Sequence, residues 1–185
     1  MKKIVMVVIV SLLFAVGCQQ KEEPKQQFQP PIGQMPPGGI GGPGQGVDTA
    51  KLLQETVRKD PKNLKAWTDL GNLMMDTHRY QEAIDAYAKA LELNPKDADI
   101  RVDMGTCYRN TGKPDIAVKE YKKALEINPG HVNAHKNMAV VLMQDFKDYP
   151  QAIKEFEKAL EIAPNASDAD AVRAEIKRLK ALSKQ

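Results

Sequence analysis

The sequence predicts an all-α protein whose helices stack in pairs as a short solenoid. Three observations predict it. The segment ALELNP at residues 90–95 returns as ALEINP at 124–129 and as ALEIAP at 159–164, spaced 34 and then 35 residues apart. Between these refrains apolar residues recur at three- and four-residue steps, as Ala83, Ile84, Tyr87, Ala90 and Leu91 do, so that they share one face of a helix. Each refrain closes on a proline, which disfavours helical geometry in the residue before it and so ends the second helix of each pair. A fixed period of this length marks a stack of similar units that bury their apolar faces only against one another.

The chain opens on Lys2 and Lys3, followed by an uncharged apolar run over residues 4–17. A membrane-crossing helix needs about 20 apolar residues, and this run is too short. A basic start, a short apolar stretch and small residues ahead of a cut make residues 1–17 a secretory signal peptide. The string FAVGC, with Cys18 after Gly17, resembles the lipobox of bacterial lipoproteins, although Ala15 stands where that family most often has leucine. The resemblance implies cleavage before Cys18, a cysteine that receives diacylglycerol, and acylation at Cys18 with palmitate-type chains, several of which together hold a membrane more firmly than one. Gln19 is not the aspartate that favours inner-membrane retention, so the expected place is the cell envelope, at the outer membrane facing the periplasm if the host is Gram-negative. The alternative is an ordinary secretory signal that ends near a cysteine.

Residues 18–47 are dense in glutamine, proline and glycine and nearly free of core-forming side chains, the composition of a disordered tether. Such a chain spans about 30 Å on average and about 100 Å at full stretch. GGPGQG lacks the lysine and the preceding strand of a phosphate loop. QPPIGQMPP is a linker by composition and otherwise a segment for a proline-recognising partner.

Residues 48–61 place Leu52, Leu53, Thr56 and Val57 on one face and end at Pro61, 34 residues before Pro95. They read as the second helix of a repeat whose first helix is absent. Three helix pairs follow, over residues 64–97, 98–131 and 132–166. Their first helices carry Trp67, Leu70, Gly71 and Met74, then Arg101, Met104, Gly105 and Tyr108, then His135, Met138, Ala139 and Leu142. Their second helices carry Ala83 and Tyr87, Ala117 and Tyr121, Ala152 and Phe156. Small residues at 71, 105 and 139, opposite alanine at 83, 117 and 152, let two antiparallel helices approach closely. The extra residue of the third pair falls in the turn between Asp145 and Gln151, where it leaves the packed faces in register. Residues 167–185 form a cap: Ser167 and Asp170 have capping-box-like spacing, Val172, Ile176 and Leu179 lie on one side, and Arg173, Lys177, Arg178 and Lys180 on the other.

In this order, over residues 64–165, the residues resemble the tetratricopeptide repeat family, whose pattern is W-x2-L-G-x2-Y, then A-x3-F, then proline. Arg101 and His135 depart from the tryptophan and Met74 from the aromatic. The resemblance implies a right-handed superhelix in which the first helices line a concave groove for extended peptides or helices. Carried over by position, that groove presents Lys65, Thr68, Asn72, Met75 and Asp76 from the first repeat. The second gives Asp99, Val102, Thr106, Arg109 and Asn110, and the third Asn133, Lys136, Val140, Met143 and Gln144. Amides that bond a peptide backbone, flexible methionines and few charges suit a protein segment. Some members clamp a terminal carboxylate with lysines, an arginine and asparagines. Here Asn72 fits, but Thr68, Asp103, Asn133 and Asn137 occupy the other places, so no such clamp is expected.

Other classes of function find little support. The net charge of +3 falls to about +1 without Lys2 and Lys3, and no basic stripe is present for nucleic acid. No serine elbow, phosphate loop or distinct carboxylate pair points to an enzyme, and no cofactor is expected. His131 and His135 are four apart but lack a third ligand, so no metal site is assigned. Cys107 is equivalent to Leu73 and Val141 and behaves as a small apolar residue. The expected function is a membrane-anchored scaffold that docks or helps assemble an envelope protein complex. Relatives by resemblance include lipoproteins that help pilus secretins assemble and repeat modules that hold apocytochrome tails. The alternatives are a metal-binding or enzyme-accessory subunit and a self-associating structural lipoprotein.

Overall fold

The computed structural model describes residues 45–183, so Cys18, the signal segment and the linker through residue 44 lie outside the described residues. Eight α-helices account for the regular structure among those described. They are α1 (Gln45–Lys59), α2 (Leu64–Asp76), α3 (Tyr80–Leu93), α4 (Ala98–Asn110), α5 (Pro114–Ile127), α6 (Val132–Gln144), α7 (Tyr149–Ile162) and α8 (Ala169–Leu182). α2 with α3, α4 with α5 and α6 with α7 are the three helix pairs. α1 starts at Gln45, so it takes in three residues that composition had assigned to the linker.

Each helix packs mainly on its neighbours in the chain. α2 also touches α4 and α4 touches α6, whereas α3, α5 and α7 do not touch one another. A stack in which first helices meet first helices from repeat to repeat, while second helices do not meet second helices, must curve with the first helices inside. The concave side is therefore built by α2, α4 and α6.

The pairs owe their closeness to one contact. A Cβ placed on Gly105 would lie 2.6 Å from Cε1 of Tyr121, and one on Gly71 would collide with the Tyr87 ring. The sequence pairs these glycines with the alanines of the second helix. In the structure it is the tyrosine ring that occupies the space a side chain would take. The third repeat has Ala139 at that place and Phe156 for the ring.

Local sequence closes each helix. Asn63, Asp97 and His131 occupy the same position in successive repeats, and each accepts a hydrogen bond from a backbone amide of the first turn it precedes. The turns inside the pairs hold a residue at positive φ: His78, Gly112 and Lys147. The amides of Arg79 and Lys113 donate back to Met74 and Tyr108, and that of Asp148 to Leu142, one residue further. The inserted residue of the third repeat thus sits in this turn. At the far end Val172, Ile176 and Leu179 are buried against α6 and α7. Ser167 does not cap α8: the N-cap is Asp168, whose carboxylate is taken by Lys136, and the expected capping box does not form. On α1, Val57 is buried and Leu53 half-buried, but Leu52 is 64% exposed, because the helix that would cover it has no counterpart among the described residues.

Candidate functional site

The inner face is built by side chains of α2, α4 and α6, and the repeats stitch it together. Thr106 shares a hydrogen bond with the Tyr121 hydroxyl at 3.2 Å and accepts another from Asn137 of the next repeat at 3.2 Å. Arg109 reaches Asp145 at 2.7 Å and also bonds Gln144. His131 Nε2 lies 2.9 Å from Asp99, and Lys136 donates to Asp168 at 2.7 Å. Within α2, Lys65 pairs with Asp69 and Thr68 donates to the Leu64 carbonyl. Asn72 accepts from the Tyr87 hydroxyl at 2.8 Å, with the Met75 thioether beside that hydroxyl.

Three of the groove residues expected from the sequence are not on the surface. Val102 is 3% exposed, Val140 1% and Met143 3%. Val102 packs with Ala134, Met138 and Val141 of α6, while Val140 and Met143 lie under Val172, Ile176 and Leu179 of α8. Their positions are inner ones within a repeat, yet the following helix covers them. Of the rest, Lys65, Asp76, Asp99 and Asn110 are exposed, and Thr68, Asn72, Met75, Thr106, Arg109, Asn133, Lys136 and Gln144 are half-buried. The face keeps one accessible methionine of the expected two.

Electrostatics give this face a sign. Its cations are all engaged with acids: Lys65 with Asp69, Arg109 with Asp145, Lys136 with Asp168. Asp103, between Val102 and Met104 of α4, is half-buried, and the desolvation of its carboxylate raises its pKa to about 7, with Asp99, Asp97 and Asp76 pushing the same way. In the sequence that residue stands out only as a misfit to a carboxylate clamp. Two exposed carboxylates of the first two repeats, Asp76 and Asp99, thus stand on a groove whose cations are already paired, an environment that disfavours an anionic terminus.

The histidines and the cysteine are used by the fold. Both ring nitrogens of His131 are bonded, one to the Ala134 amide and one to Asp99. Those of His135 meet Glu155 at 2.7 Å and the Pro129 carbonyl at 3.1 Å. The latter bond repeats a theme: Trp67 Nε1 donates to the Pro61 carbonyl at 2.9 Å and Arg101 to the Pro95 carbonyl at 2.8 Å. Three different residues in the tryptophan position of the pattern therefore do the same work, tying the first helix to the proline that ended the previous one. Cys107 is fully buried, and burial with Asp103 beside it pushes its thiol up to about 12, far from the thiolate that reactive cysteines need.

Comparison with known proteins supplies a context for this face. The family model described as the cytochrome c-type biogenesis protein H TPR domain matches residues 50–170. A crystal structure of MamA is 29% identical with a TM-score of 0.62, covering 68% of this chain and 72% of that one. A second, MamA MSR-1 C2, is 26% identical with a TM-score of 0.60, covering 67% and 71%. The first TPR of Spaghetti (RPAP3), bound to the HSP90 peptide SRMEEVD, is 20% identical with a TM-score of 0.61, covering 68% of this chain and 97% of that one. At that identity the likeness is one of fold alone. No curated protein matches the chain.

Proposed function

The chain belongs to the tetratricopeptide repeat family, and on that premise we propose that it is a lipid-anchored docking module of the bacterial cell envelope, whose inner face recruits a segment of another envelope protein. The carrying observation is the inner face itself. It joins exposed Asp76, Asp99 and Asn110 to half-buried Met75 and Asn133 on three rigid first helices. Rigid elements present such a surface with little ordering cost on binding. A flexible tether from Cys18 would raise the local concentration of this face near the membrane. The anchor rests on the lipobox-like FAVGC, and the outer-membrane destination on Gln19. The matching family model comes from cytochrome c biogenesis, which makes an apocytochrome segment the first partner to test.

The test uses the full chain purified from detergent-solubilised cells. The pair Asp76→Lys with Asp99→Lys should lose the co-purifying protein, while Lys119→Glu with Lys154→Glu on the outer helices keeps it; the reverse pattern would refute inner-face docking. In the same cells Cys18→Ser should abolish incorporation of labelled palmitate into the chain, and labelling that persists in the variant, or its absence from the parent chain, would refute the anchor. The peptide SRMEEVD should not bind, since Asp76 and Asp99 oppose its carboxylates and the groove's cations are already paired.

A further inference from the structure

A cleft of about 290 Å³ opens on the outer side of the first repeat, between α1 and α3, whose backbones stay apart. Its floor is Trp67, Leu70 and Met74 of α2 with Ala86 of α3. The corresponding places in the later repeats are filled from within. Where the first repeat has Trp67 and Ala86, the second has Arg101 and Glu120, ion-paired at 3.1 Å, and the third has His135 and Glu155 at 2.7 Å. A glutamate there occupies the space and meets an internal partner, the Arg101 guanidinium or the His135 ring. Ala86 has only a methyl group, which can do neither, so the first repeat is left with room and with an indole wall.

From this comparison we propose that the cleft is a socket for a lysine or arginine side chain of a protein partner. Such a side chain has an apolar stem and a cationic tip, and the cleft has the matching parts. Leu70, Met74 and Ala86 offer apolar surface to the stem. The polar edge of Trp67 is spent on the Pro61 carbonyl, which leaves its π surface for a cation. Among the described residues, Asp85 on the rim is bonded only by the Gln81 amide, at 3.2 Å. The other rim charges are committed elsewhere: Glu82 to Arg79, and Lys89 to Glu92 at 2.9 Å. An anionic side chain would meet Asp85 unfavourably, and a neutral one would leave it without a counter-charge. The socket lies on the outer side and stands or falls apart from the inner-face reading.

Trp67 is the sole tryptophan of the chain, so its fluorescence reports on this cleft alone. The full chain in detergent is titrated with end-blocked Gly-Gly-X-Gly-Gly peptides in which X is arginine, lysine or norleucine. The arginine and lysine peptides should give a saturable change and bind about tenfold tighter than the norleucine peptide. Asp85→Asn, an exposed change that leaves folding intact, should weaken them by about fivefold or more. Ala86→Leu fills the cleft without adding charge and should abolish the response, with a melting curve confirming that it folds. Equal binding of the norleucine peptide, an unchanged response in Asp85→Asn, or no saturation by about 50 mM would overturn the proposal. Binding of n-butylamine as tight as that of the lysine peptide would make the cleft a small-amine site and overturn the protein partner.

Discussion

Three positions that act together in each repeat, the small residue of the first helix, the residue after it and the ring of the second helix, explain why the pairs are spaced as they are. They read Gly71, Asn72 and Tyr87, then Gly105, Thr106 and Tyr121, then Ala139, Val140 and Phe156. Where the ring carries a hydroxyl, the neighbour is a polar residue that bonds it, and a glycine makes room for it. Where the ring is phenylalanine, the neighbour is valine and alanine is tolerated. Gly105→Ala should therefore destabilise the protein by about 1 to 3 kcal/mol, although alanine is the better helix former. Adding Thr106→Val and Tyr121→Phe, which installs the set of the third repeat, should recover part of the loss; the sum of the three single changes in thermal melts would show whether they couple. Asp103 makes a second residue-scale prediction. Its folded pKa of about 7 lies above the usual carboxylate range, so between about pH 4 and 7 the folded chain keeps a proton that the unfolded chain has lost, and stability falls as pH rises through that window. Asp103→Asn should melt higher than the parent at pH 8, by on the order of 1 to 3 kcal/mol, and the gain should vanish near pH 4.

Among the elements, the three helix pairs and the cap were legible because their apolar positions recur with the period of the repeat. What was not legible depends on which helix comes next in space. Val140 and Met143 stand in inner positions of α6 and become core only because α8 lies over them. Leu52 sits on the apolar face of α1 and stays exposed because no first helix precedes it among the described residues. The coupled set of small residue, neighbour and ring could have been found by laying the repeats over one another, which would have placed Asn72 and Thr106 partly inside the pair. Asp103 gave no such signal, since Asp69 and Asn137 at the same place are satisfied by Lys65 and Thr106. A chain ending at Pro164 removes α8 and bares Val140 and Met143. It should lose ~3 kcal/mol or more and bind an apolar dye; unchanged melting and no dye binding would show that α8 is not the cap.

For the molecule as a whole, the stack has two unlike sides. The inner side is continuous from α2 to α6, bound repeat to repeat by Thr106 with Asn137 and Arg109 with Asp145. The outer side is divided into separate ridges, since α3, α5 and α7 do not meet. A continuous surface of several helices fits an extended protein segment, whereas a gap between ridges fits a single side chain. The most direct test of inner-face docking is site-specific photo-crosslinking in living cells from Asp76 and Asn110 on the inner helices and from Lys119 on α5, with the captured peptides sequenced. One protein, crosslinked through the same segment from Asp76 and Asn110 and not from Lys119, is the predicted result. Capture from Lys119 alone, or of unrelated proteins from the two inner positions, would contradict it.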